Sequence, residues 1–181
     1  FYGVTQISEL VTGLKNFSRL DQAPTDNVSL NDCVENALLI ARNALKYGVE
    51  VIKRMETLPP VRCTASQINQ VLLNLVTNAA QAMPNGGHLL IRTWSDEAWA
   101  YVSVQDTGCG IPAENLKRIF DPFFTTKPVG EGTGLGLSIT YQIIQQHQGK
   151  IRVASEIGKG TRFVISLPRQ TAAVAPMAAV A

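Results

Sequence analysis

The sequence predicts an α/β two-layer sandwich: a mixed sheet covered on one face by three helices near residues 32–47, 65–83 and 135–148, with one more helix ahead of it. Three observations carry this. Apolar residues recur at helical spacing in the last two of those stretches, at Ile68, Leu72, Leu75 and Ala79 and again at Leu137, Ile139, Ile143 and Ile144. Short alternating or β-branched runs stand between and after the helices. Two glycine clusters, Gly108 with Gly110 and Gly130 to Gly136 at alternate positions, interrupt the chain where a strand ends and where a helix begins.

Composition bounds the answer. At 181 residues and 45% apolar content the chain can bury roughly 70% of its unfolded surface around one core. A net charge of +2 without a long basic run gives no electrostatic reason to expect a nucleic-acid or membrane-surface partner. Cys33, Cys63 and Cys109 are odd in number and lack a CxxC spacing, which suggests reduced thiols in a cytoplasmic setting rather than a disulfide frame or zinc site. No run of about 18 apolar residues and no signal peptide is present. Because the chain opens on Phe1 rather than Met, it is expected to be a fragment, with any sensor or inner-membrane anchor upstream.

In order, residues 1–20 place Val4, Ile7, Val11 and Leu14 at a 3-4-3 spacing, continued by Phe17 and Leu20. This is a helix with a seam for another helix, although two heptads also suit an ordinary amphipathic helix. Residues 21–27, with Pro24, read as a linker, so the organisation expected is 1–23, 24–169 and a frayed tail over 170–181. Residues 28–30 are a short strand candidate, and Asn31 with Asp32 starts a helix closed by Gly48. Residues 49–55 and 61–63 are strand-like, separated by a turn at Pro59 and Pro60.

Thr64 to Gln67 fits a capping box for the helix over 65–83. Besides its apolar stripe, widened by Val71 and Val76, that helix carries Gln70, Asn74 and Asn78 four apart on a second, polar stripe. A solvated face is the plain explanation, but asparagine is a mediocre helix former, and two of them one turn apart need another reason. Residues 88–95 and 99–106 read as paired strands, the second alternating Tyr101, Ser103 and Gln105 against Val102 and Val104. A short helix near 114–120 and a long loop over 121–133, rich in Gly and Pro, follow; the loop has the length and content of a mobile lid. Residues 150–155 and 161–167 form a hairpin through 156–160.

The second glycine cluster opens a helix, so its free N–H groups and the positive end of the helix dipole suit phosphate. It is not a P-loop, because Gly136 is followed by Leu137 instead of Lys and Ser/Thr, and it is not GxGxxG after a strand.

Taken together, these features resemble the catalytic ATP-binding domain of sensor histidine kinases, in the nitrogen-regulator-like branch, within the wider ATPase group of DNA gyrase, heat-shock chaperones and mismatch-repair proteins. The resemblance covers residues 28–167. Asn74 to Asn78 with Ala79 looks like the N-box, 106–110 the first glycine box, 120–124 the F-box, 132–137 the second glycine box and 158–161 the third. The resemblance implies a Bergerat-type fold that holds ATP and Mg²⁺ between helices and lid. Asp106 then resembles the carboxylate that accepts the adenine amine and discriminates against guanine, and Thr161 the threonine that supports it. Asn78 looks like the Mg²⁺ ligand, and Asn74 the position near the γ-phosphate. Lys127 is the candidate phosphate contact, and with Asn74 the candidate catalytic residue. Gly108, Gly110, Gly132, Thr133, Gly134, Leu135, Gly136 and Leu137 would line the nucleotide site, while Phe123 and Phe124 pack the lid.

Gyrase-like relatives carry a water-activating glutamate where Asn74 stands, and an amide cannot take a proton at neutral pH. One departure concerns the helix end: many family members have Lys and Tyr where this chain has Gln81 and Ala82. The implied reaction is transfer of the γ-phosphoryl to a histidine on the dimerisation and phosphotransfer domain of the same protein, homodimeric at full length, and onward to a response regulator. His88 and His147 lack the acidic neighbour of that motif and read as surface residues, so the acceptor helix would precede Phe1, and residues 1–20 look like the end of its partner helix. The alternatives are a gyrase- or chaperone-type ATPase and a non-catalytic ATP-binding regulator.

Overall fold

The computed structural model describes residues 26–128 and 132–169. The helix expected over 1–20 and the tail lie outside the described residues. Within them the chain runs β1 (Asp26–Val28), α1 (Leu30–Ile40), α2 (Arg42–Leu45), β2 (Val49–Met55), β3 (Val61–Cys63), α3 (Ala65–Ala82), β4 (Gly87–Ser95), β5 (Trp99–Asp106), α4 (Gly136–Gln146), β6 (Lys150–Glu156) and β7 (Gly160–Pro168).

β2, β4, β5, β7 and β6 form one sheet in that order, and β1 with β3 a separate antiparallel ribbon. Only β2 and β4 pair in parallel in the large sheet, from Val49 opposite Gly87 to Met55 opposite Thr93. Parallel neighbours need a crossover connection, and α3 supplies it. Leu89, Ile91, Val102, Val104, Phe163 and Ile165 are buried on one face of the sheet, alternating with exposed Arg92 and Arg162 on the other. Against the buried face lie Leu30, Val34 and Ala37 of α1, the predicted stripe of α3, in which Ile68, Leu72 and Leu75 are at most 1% exposed, and Ile139, Ile143 and Ile144 of α4. The two-layer mixed α/β sandwich is therefore as the sequence indicates.

Four local expectations are corrected. The strand placed at 28–30 is Asp26–Val28, because Ser29 leaves the strand to cap α1, its Oγ accepting from the Asp32 N–H at 3.2 Å. The helix expected to reach residue 47 is divided at Ala41, whose ψ of 0° departs from the helical value while its carbonyl still accepts from Leu45 N–H at 3.1 Å. The capping box fails: Thr64 is the N-cap of α3 but makes no side-chain cap bond. Residues 113–120 form a run of turns instead of a helix, since Asn115, Arg118 and Asp121 each bond back three residues, to Pro112, Asn115 and Arg118. So short a segment after a proline gains too few four-residue bonds to offset helix nucleation.

Candidate functional site

The outer face of α3 organises the site. Asn74, Asn78 and Ala82 follow at four-residue intervals, so they share one face over about 12 Å of helix. Each meets a different loop. Asn74 lies against the start of α4: its Nδ2 donates to Gly136 O at 3.0 Å and to Thr140 Oγ1 at 3.4 Å, and its Oδ1 accepts from Gln70 Nε2 at 3.0 Å. Asn78 Oδ1 accepts from Lys127 Nζ at 3.2 Å, and Gln81 Oε1 takes a second bond from the same ammonium. Ala82 O accepts from Cys109 N–H at 3.0 Å, which fixes the first glycine loop to the end of the helix.

Asp106 closes β5 and is 4% exposed. Its Oδ1 accepts from Gly108 N–H at 2.8 Å and from Thr161 N–H at 3.1 Å, while Oδ2 takes no hydrogen bond from the described residues. Burial pushes its pKa above the ordinary aspartate value, and the backbone N–H groups of Gly108, Thr161 and Asp106 itself oppose that shift only in part. An acceptor-only carboxylate with one uncommitted oxygen suits an amine donor. Thr161 thus contributes its backbone as well as its hydroxyl.

The hydroxyl's role follows from its partner. Ser155 Oγ lies 3.0 Å from Gly160 O and 2.9 Å from Thr161 Oγ1, and it accepts Ile111 N–H at 2.8 Å. With its one proton on the Gly160 carbonyl, Ser155 receives the Thr161 proton, which leaves the Thr161 oxygen as an acceptor. Ser155 ties the first glycine loop to the third box, and nothing in its strand pattern could have announced it. Gly160 has φ +107°, and a Cβ there would sit 2.1 Å from Asp106 O, so only glycine fits.

The lid's base is closed by Phe123 N–H donating to Gly134 O at 3.0 Å. Gly134 has φ +66° and would place a Cβ 2.4 Å from the Phe123 carbonyl carbon. Thr133 Oγ1 accepts from Leu135 N–H at 3.3 Å, Leu135 is buried, and Leu137 packs half-buried on the core. Gly132 packs at Thr125 and Lys127, whereas Gly136 faces the Asn74 amide at ordinary contact distance. Gly110, at φ +75°, abuts the carbonyl of Glu156. Of the two phenylalanines, Phe124 packs on the core beneath Arg118, while Phe123 is 63% exposed. The expected packing role therefore holds for Phe124 alone.

His88 is exposed and pairs with Glu50 at 3.1 Å. His147 corrects the surface reading: its Nδ1 bonds Ile143 O at 2.8 Å and its Nε2 accepts from Thr64 N–H at 3.0 Å, which joins the end of α4 to the start of α3. The start of α4, at Gly136, meets Asn74 at the middle of α3, so the two site helices are pinned antiparallel.

Residues 63–171 match the family described as histidine kinase-, DNA gyrase B- and HSP90-like ATPases, and the chain belongs to that family. Within it, the chain is a histidine-kinase catalytic domain. It is 32% identical to the catalytic domain of the histidine kinase ThkA, with a TM-score of 0.72 over 80% of this chain and 95% of that one. The signal transduction histidine-protein kinase AtoS of Escherichia coli strain K12 is 41% identical over 91% of this chain, which spans 27% of AtoS. Full-length ShkA, solved in complex with AMPPNP, is 26% identical with a TM-score of 0.78, over 90% of this chain and 36% of that one.

Proposed function

We propose that this domain holds Mg·ATP for transfer of its γ-phosphoryl to a histidine on the dimerisation domain of the same protein, with a response regulator as the next acceptor. The observation that carries the reading is the amide pair on α3. Asn74 faces the start of α4 and Asn78 the lid, and neither can take a proton from water, so the site suits positioning over hydrolysis. Asp106 Oδ2 and Thr161 Oγ1 present the acceptors for an adenine amine.

For magnesium, the fit rests on the Lys127 ammonium, a cation already seated on Asn78 Oδ1. No group of three or more His, Cys, Asp or Glu able to hold a metal occurs among the described residues, so Asn78 would share a hydrated ion with the phosphates. The ion would supply charge neutralisation at the triphosphate. Lys127, half-buried and with its pKa lowered by desolvation, is within reach of the same atoms and would turn from the amides to the phosphates as nucleotide arrives. N–H groups at Gly132, Gly134 and Gly136 would complete the cradle. In the whole protein we place this domain in the cytoplasm, working as a homodimer; no helix of the described residues is long and apolar enough to cross a membrane.

Labelled ATP, incubated with the chain alone and with a separately supplied acceptor-helix domain, tests the reading. Label on the acceptor's histidine is expected. Phosphate release without transfer would instead indicate an ATPase, and binding without either a regulator.

A further inference from the structure

The face of the large sheet away from the helices carries a charge pattern that the nucleotide site does not use. In register across all five strands stand Arg54, Arg92, Ser103, Val164 and Arg152. The row on one side reads Ile52, Leu90, Gln105, Arg162 and Ala154; the row on the other reads Trp94, Tyr101, Ser166 and Lys150. Arg54, Arg92, Arg152, Arg162 and Lys150 are all exposed, and these three rows contain no Asp or Glu. The chain as a whole is only +2, so these three rows concentrate positive charge while the remainder is net acidic, with Glu50 and Glu156 in the next row toward the nucleotide site.

Arg54 and Arg92 are directly opposite on paired strands, an arrangement that destabilises a sheet. None of the four arginines has an ion-pair partner among the described residues, where the pairs are Lys53–Glu35, His88–Glu50, Arg118–Asp121 and Lys159–Glu156. At the rim, Asp96 is committed to Ala98 N–H, Trp99 N–H and the Tyr101 hydroxyl. Arg92 has the Trp94 ring beside it, but no carboxylate among the described residues pairs with any of the four arginines, which leaves their charge to be matched from outside.

We propose that this sheet face docks an acidic protein surface. A second copy of the chain would bring like charge to like charge. Single-stranded nucleic acid needs open aromatic faces for base stacking. Here Trp94 stacks on Tyr101 at 5.0 Å with Arg92 over its ring at 5.8 Å, and Lys150 lies over Trp99 at 4.6 Å. The face is about 19 Å from the first strand to the fifth, and among the described residues the long helices pack on the opposite side of the sheet, which leaves none here to enter a duplex groove. Carboxylates on a folded partner match the exposed guanidinium forks.

The experiment titrates the ¹⁵N-labelled 181-residue chain with a decaglutamate peptide at low salt. Shifts are expected at the amides of Arg54, Arg92, Ser103, Val164 and Arg152. The double variant Arg92→Glu/Arg152→Glu should bind at least about tenfold more weakly at unchanged ATP affinity and with a melting temperature no lower than the parent's, because it removes the like-charge pair with Arg54, and Arg92→Lys/Arg152→Lys should retain most binding. Arg42→Glu/Lys46→Glu, an equal charge change on the helical layer, should leave binding within about twofold. Shifts elsewhere, equal loss in the Arg42/Lys46 variant, or tighter binding to an oligothymidylate or to phosphatidylserine vesicles than to the peptide would overturn the proposal.

Discussion

At the scale of single residues, Asp106 has the most exposed role. Asp106→Asn keeps the shape but replaces the acceptor-only group, so ATP binding should weaken by about 1.5–3 kcal/mol, and calorimetry with ATP and GTP would show the preference for adenine shrinking. Burial raises this carboxyl above its ordinary 3.8, so the folded protein takes up the proton before the unfolded chain does. Its ionised form therefore opposes folding at neutral pH, and that opposition fades as pH falls through the raised value. Acidification over that interval should weaken ATP binding while this group's contribution to stability improves, and Asp106→Asn should lose the pH dependence of binding. Asn78→Ala should abolish Mg²⁺ dependence with the melting curve unmoved; an unchanged Mg²⁺ titration of transfer rates would refute the ligand assignment. The box residues were legible as types at spacings. Gln81 as the second seat for Lys127, Ser155 as the relay to Thr161 and His147 as a helix clamp were not, because each depends on a partner 46, 6 and 83 positions away.

At the scale of elements, α3 bears both the core and the site, and the two can be probed separately. Leu75→Ala removes a side chain that is 1% exposed and should lower stability by about 2–5 kcal/mol in denaturant melts. His147→Ala removes the acceptor for Thr64 N–H and should lower stability by about 1 kcal/mol, with His147→Gln recovering part of it. The stripe of α3 and the β4–β5 and β6–β7 hairpins were readable because their periodicity is local. The break at Ala41 and the turns of 113–120 were not, since composition there permits a helix and only the backbone bonds decide. Strand order was equally hidden: β2 and β4 are joined through an intervening ribbon strand and α3, and no local pattern says which edges meet.

At the scale of the whole molecule, the three thiols report on the fold. Burial pushes Cys33 up to about 11 and Cys63 up to about 12, whereas Cys109 lies exposed in the first glycine loop. A native titration with a thiol-specific reagent near neutral pH should find Cys109 fast and the other two slow until denaturant is added, and ATP should slow Cys109 further. The crossover noted above has a longer reach. Because the helix that presents the amides is also the span that lets β2 and β4 lie side by side, the sheet cannot assemble around an absent α3. Descendants of such a chain can shed chemistry one box residue at a time and stay folded, but none can discard the helix and keep the domain. Inactive copies should therefore accumulate as intact, silent scaffolds sooner than vanish as wreckage.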